Sequence, residues 1–146
     1  MVDVRADAGG PTGEAGPLGD PGDLSDVFRS DCPGRAVFEH ISGRWGMLVL
    51  IALRDGPMRF YMLRDRIGGI SEKMLSQNLK VLTRDGIIER EVEPSSPPRV
   101  SYRLSPFGQE LAGSLQQLVD WIAASMPTIQ VSQRRYDDAA EGGGAG

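Results

Sequence analysis

The sequence is short of the residues that most chemistry depends on. It has one cysteine, Cys32, and one histidine, His40. A lone cysteine excludes an intramolecular disulfide and a cysteine-cluster zinc site. A Ser-His-Asp or Cys-His nucleophile system needs a positioned base, and His40 is the only histidine that could serve. No phosphate-binding glycine loop is present either, so no enzymatic activity, metal or cofactor is expected. Long apolar runs are also missing. "WGMLVLIAL" (45–53) falls well below the roughly 20 residues of a membrane-spanning helix and reads as a buried helix. The N-terminus, "MVDVRADAGGPTGEAGPLGDPGD", lacks the apolar core of a signal peptide and carries acidic residues. The expectation is a cytoplasmic protein with no membrane partner.

Lysine occurs twice only, and both copies, Lys73 and Lys80, fall in "SEKMLSQNLKVLTRDG" (71–86). The charge along the chain is uneven around them. Residues 1–31 have two Arg and seven Asp/Glu, and residues 106–146 have two Arg and five Asp/Glu. Residues 32–105 have twelve Lys/Arg and eight Asp/Glu, although the whole chain is at −4. A basic segment inside an acidic chain hints at a polyanionic partner.

The 146 residues suit one domain with tails. Residues 1–23 are acidic and rich in Gly and Pro, and read as a disordered tail. Residues 24–131 read as the domain, and 132–146 as a flexible C-terminal tail. Within the domain, Asp31 or Cys32 caps a helix that starts at Pro33, where a missing N–H costs nothing. Val37, Phe38 and Ile41 give it a short apolar face, and Gly43 breaks it. Trp45, Leu48, Val49, Ala52 and Leu53 make the stripe of a second helix, closed by Gly56-Pro57. Met58–Phe60 offers a very short strand. A helix through Leu63 and Ile67 follows, closed by Gly68-Gly69. Ser71 then caps the lysine-bearing helix, without a capping box, and Gly86 ends it. "IIEREVE" (87–93) and "RVSYRL" (99–104) alternate around the five-residue tip "PSSPP" and form a hairpin. Ser105 and Pro106 open a long helix, expected to end near Met126-Pro127 or to give way there to a short further segment. The order predicts a mainly α fold with a small β wing (α+β): a winged helix-turn-helix with a C-terminal dimerisation helix.

Leu75, Leu79 and Leu82 recur at helical spacing and predict one buried stripe. At about 100° per residue, Lys73, Gln77, Lys80 and Arg84 fall about 140–200° from Leu75, and Ser76 flanks them near 100°. None of these is acidic. Such a face suits a DNA major groove: Lys donates to guanine, Gln pairs with adenine, and Ser contacts bases or phosphates. Ser71, Lys73, Ser76 and Gln77 lie toward the end better placed for base edges. Lys80 and Arg84 suit phosphates. An ordinary solvated face explains the same residues equally well on this helix alone. The surrounding helix-turn-helix and hairpin favour DNA. On the hairpin, Arg90 and Arg103 share the strands with Glu89, Glu91 and Glu93, so Arg99, just after the tip, is the wing residue expected to reach DNA.

The stretch from "CPGRAVFEHISGRW" through "LRDGPMRFYML", "GGISEKMLSQNLKVLTRDG" and "PPRVSYRLSPFG" resembles the HxlR-type transcriptional regulators, a MarR-like winged-helix group. The likeness covers about residues 32–122. It implies a homodimeric DNA-binding repressor or activator, paired through its terminal helices. In such a dimer, Leu111, Leu115, Leu118, Val119 and Ile122 pack between subunits, joined by Val37, Phe38 and Ile41. The plainer reading is that they close the monomer's own core. A two-fold dimer reads two half-sites of a palindromic operator about 34–36 Å apart on double-stranded DNA. In some members of the resembled group the "CP" cysteine senses oxidants or electrophiles, which makes Cys32 the candidate sensor. A helix N-terminus favours negative charge, and Arg35 is near; Asp31 opposes both. A buried, inert cysteine is the alternative. A small aromatic or aldehyde effector between the dimer helices is another signal the group suggests. A winged-helix module that binds proteins and not DNA is the competing function. The cationic face at 73–84 speaks against it.

Overall fold

The computed structural model describes residues 26–145; the expected N-terminal tail at 1–23 lies outside them. Its elements are α1 (Pro33–Ser42), α2 (Gly46–Ala52) continued by a 3-10 turn (Leu53–Asp55), β1 (Met58–Arg59), α3 (Phe60–Arg66), α4 (Glu72–Arg84), β2 (Ile88–Glu93), β3 (Arg99–Leu104) and α5 (Pro106–Ala145). The three strands form one antiparallel sheet in the order β1-β3-β2. This is a winged helix-turn-helix, as the order of motifs predicts. No single helix among the described residues is long and apolar enough to cross a membrane.

α1 begins on Cys32, whose extended backbone (φ −77°, ψ 129°) makes it the N-cap, with Pro33 next; no side chain caps the helix. Gly43 ends it. The turn into α2 is tight: a Cβ on Gly46 would stand 2.2 Å from the His40 carbonyl oxygen, so only glycine fits. α2 buries Val49, Leu50, Ala52 and, in the 3-10 turn, Leu53. Leu48, expected in the stripe, is exposed, and Leu50 takes its place in the core. α2 packs against α1, α3, α4 and α5, so its buried face is wider than one stripe and centred elsewhere. Phe60 also differs from expectation. It opens α3 and is not part of β1, whose two residues pair with Tyr102 and Ser101 of β3.

α4 follows the expected pattern. The Ser71 Oγ accepts from the Met74 backbone N–H at 3.0 Å. Leu75, Leu79 and Leu82 are buried. The helix ends in a Schellman motif. Gly86 has φ 78°, its N–H reaches the Thr83 carbonyl, and the Ile87 N–H reaches the Leu82 carbonyl. Leu82 and Ile87 are both buried, supplying the apolar contact that accompanies this motif.

Ser105 joins the wing to α5. It is a buried polar residue, 4 % exposed, and every polar atom of its side chain is engaged. Its backbone N–H bonds the Ile87 carbonyl at 3.0 Å. Its hydroxyl lies 2.7 Å from the Gly86 carbonyl oxygen and 3.0 Å from that of Ile87, and accepts from the Gly108 N–H at 3.0 Å. α5 then crosses the core with Ala112 and Leu115.

α5 departs most from the sequence reading. It does not stop near Met126-Pro127, and residues 132–145 are helical and not an irregular tail. Pro127 sits inside the helix, where it removes one hydrogen bond. Residues 128–141 contain no further breaker, so the helix propagates without a new nucleation step. At 1.5 Å per residue α5 is about 60 Å long, and no residue from 116 to 143 is buried.

Gly108 lies so close to Ile87 that an added Cβ would sit 2.0 Å from that carbonyl oxygen. Gly108→Ala is therefore expected to lower stability by about 2–3 kcal/mol. Urea titration checks this, with a lower midpoint and an unchanged m-value.

Candidate nucleic-acid interface

The exposed side of α4 carries Lys73, Ser76, Gln77, Lys80 and Arg84, opposite the three buried leucines, with Ser71 at its start. The cap occupies the Ser71 oxygen as an acceptor and leaves its hydroxyl able to donate. Asn78, between these residues, turns inward to the Met74 carbonyl at 2.8 Å.

One acid, Glu72, stands on α4, and it is already paired. Arg64 of α3 bonds its carboxylate at 2.6 Å and lies over the Tyr61 ring, 4.8 Å from the centroid. That hydrogen bond is the main reason the Arg64 pKa is raised above its ordinary value, with Asp65 adding to it. The pair joins the two helices of the helix-turn-helix. It also leaves the α4 face with net positive charge. Among the described residues, Lys73, Lys80, Arg84, Arg90 and Arg99 form no ion pair.

The sheet register sorts the wing into two faces. Ile88 pairs with Leu104, Arg90 with Tyr102 and Val92 with Val100, so these six side chains share the face that begins in the core. Glu89, Glu91 and Glu93 share the other face with Arg103, Ser101 and Arg99. Arg103 is held there by Glu89 at 2.9 Å and Glu91 at 3.4 Å. Arg99 stands opposite Glu93 on this acid-bearing face.

Arg90, placed on the wing strand by the sequence reading but set aside in favour of Arg99, faces α4. It lines a cleft of about 230 Å³ between α4 and the sheet, together with Ser76, Leu79, Lys80, Thr83 and Tyr102. The signal was available in its parity with Ile88: two residues after a core position, it had to point to the α4 side. The structure thus brings Ser76 and Lys80 together with Arg90, and sets Arg99 apart from them.

The proposed pairing residues divide. Leu115 belongs to the chain's own core at 9 % exposed, and Leu111 and Ile41 pack partly against it. For these three the structure matches the plainer reading, closure of the chain's own core: α5 must cross the domain before it can leave it. Val37, Phe38, Leu118 and Ile122 are exposed and Val119 is half-buried. Trp121 and Phe107, both exposed, join them. Cys32 is buried. Arg35 turns to Glu39 at 2.7 Å and to the carbonyls of Val27 and Phe28, and Asp31 is taken by Arg29 at 2.9 Å.

An N-capped helix with a free cationic face, set behind a second helix and beside a two-stranded wing, defines the class of helix-turn-helix transcriptional regulators. Within it, the chain belongs to the HxlR-like helix-turn-helix family, whose model matches residues 40–130. It is similar to YtfH of Escherichia coli (strain K12), an uncharacterised HTH-type transcriptional regulator. The two are 45 % identical over 103 residues, covering 70 % of this chain and 82 % of YtfH. The solved structure of ytfH from Salmonella typhimurium superposes with a TM-score of 0.70 at 42 % identity, covering 75 % of this chain and 97 % of that one. The redox regulator HypR in its oxidised form gives a TM-score of 0.59 at 33 % identity, covering 64 % and 96 %. The fold and the transcriptional-regulator function expected from the sequence both stand.

Proposed function

We propose that the protein acts in the cytoplasm as a homodimer that binds double-stranded DNA and regulates transcription, with no enzymatic activity and no cofactor. The observation that carries this is the exposed face of α4, where Lys73, Gln77, Lys80 and Arg84 stand without a competing carboxylate. In this reading Ser71, Lys73, Ser76 and Gln77 meet base edges in the major groove. Lys80, Arg84 and Arg90 hold the flanking phosphates, and Arg99 reaches out from the wing tip. Arg90 joins the set because it shares a cleft with Ser76 and Lys80.

Titration of a fluorescent duplex at several salt concentrations tests this. Lys80→Ala and Arg90→Ala are each expected to flatten the salt slope by about one unit, as loss of one phosphate contact does. Arg103→Ala, which breaks only the pairs with Glu89 and Glu91, leaves the slope as it was. A slope unchanged in all three would sink the assignment.

The second copy is held through Val37 and Phe38 of α1 and Leu118, Val119 and Ile122 of α5, all left uncovered or half-covered in the single chain. Sedimentation at micromolar concentration should give twice the 15.8 kDa chain mass, and Ile122→Arg should give the monomer. A wild-type monomer would remove this part of the reading.

Cys32 serves as the oxidant sensor in a second strand of the proposal, supported by the likeness to HypR, a redox regulator. Its place at the start of α1 puts any adduct or intersubunit disulfide on a helix of the proposed dimer. Oxidant should change DNA affinity in the wild type and leave Cys32→Ser unaffected; equal responses from both would exclude this role.

A further inference from the structure

His40 and Asp85 meet where the C-terminal ends of α1 and α4 converge. The Nδ1 atom of His40 lies 2.7 Å from Oδ2 of Asp85, across 45 residues of sequence. The Asp85 side chain is 9 % exposed and the His40 side chain 27 %. Asp85 is the residue that closes α4, and His40 sits in the last turn of α1.

Elementary helix electrostatics does not favour an acid there. The carbonyls at a helix C-terminus amount to about half a negative charge. A carboxylate at that end is opposed by its own helix, and burying it adds a desolvation cost. Here two helix ends and one carboxylate converge, and Glu110 lines, with Asp85, a cavity of about 490 Å³. The imidazole is the cation-capable group that the described residues place against Asp85. The acid is not needed to end the helix, because the Gly86 Schellman motif already does so. What it adds is a directional bond from α4 to α1.

The His40 end of that bond is fixed as firmly. Its carbonyl oxygen is pressed against the first turn of α2, where only Gly46 leaves room. On the other side, Asp85 directly follows Arg84 and lies five residues after Lys80. The end of α4 assigned to phosphates is thus the end that α1 holds.

We propose that His40 and Asp85 are positioning residues for α4: their bond sets where the helix lies relative to α1, and a displacement of α1 reaches Lys80 and Arg84 through it. The importance of this for DNA rests on α4 being the DNA-binding helix, as proposed above.

The test uses the full chain as His40→Gln, Asp85→Asn and the double variant. Amide resonances of isotope-labelled protein are recorded without DNA. Each single change should shift resonances along α4 as far as Lys73, and the double variant should add nothing further. Shifts confined to residues 38–42 and 84–87 would overturn the proposal. The second arm measures affinity for a duplex that the wild-type protein enriches from random-sequence DNA, beside the urea midpoint of each variant. Each single variant should lose roughly tenfold in affinity, and the double variant the same tenfold. Losses that multiply in the double variant, or that follow folded stability alone, would also overturn it. If the wild type enriches no duplex, the DNA-binding reading fails, and the amide shifts alone judge the positioning role.

Discussion

The backbone carbonyl of Ile87 is the point on which the arrangement turns. It accepts the Ser105 N–H and lies within hydrogen-bonding distance of the Ser105 hydroxyl, while Gly108 packs against it with no room for a side chain. Four elements are tied by this one group. α4 has just ended, β2 is about to begin, β3 has just finished and α5 is starting. Burial makes the junction exacting, because an unpaired polar group here would cost on the order of 1–3 kcal/mol. The angle between the cationic helix and the wing, and the direction in which α5 leaves, both follow from it.

The charged residues are then placed by elimination. Acids on the surface near α4 are consumed in pairs: Glu72 by Arg64, Glu89 and Glu91 by Arg103. Each exposed pair contributes little to stability, about 0–1 kcal/mol. Their consequence is electrostatic. They leave Lys73, Lys80, Arg84 and Arg90 as positive groups that form no ion pair among the described residues, in a chain whose overall charge is −4. Net charge therefore misleads about the surface that matters.

Much of this was legible in the sequence. The leucine spacing of α4, the Ser71 cap, Pro33 after Cys32 and the alternation of β2 and β3 all depend on local chemistry, and local chemistry is what a sequence displays. The misreadings share a different cause. Leu50 replaced Leu48 because the buried side of α2 is set by four neighbouring elements, which periodicity within α2 does not reveal. Arg90 was passed over because its acidic neighbours in sequence are on the opposite face in space. Leu115 could be read toward a partner or toward the chain's own core, because an apolar stripe does not say which surface covers it. Pro127 suggested an end to α5, yet a helix already nucleated can absorb the loss of one bond.

The far half of α5 leaves the domain, and none of its described residues is buried. A helix standing alone in water is marginal at such lengths, because tertiary packing supplies most helical stability in proteins. Its order therefore depends on what lies alongside. Where the neighbour is another protein molecule, mass action makes the ordered length of α5 a function of how much protein the cell holds. Scarcity would fray the rod from the end away from the domain while the domain behind Ile87 stays folded, so abundance itself becomes written into shape.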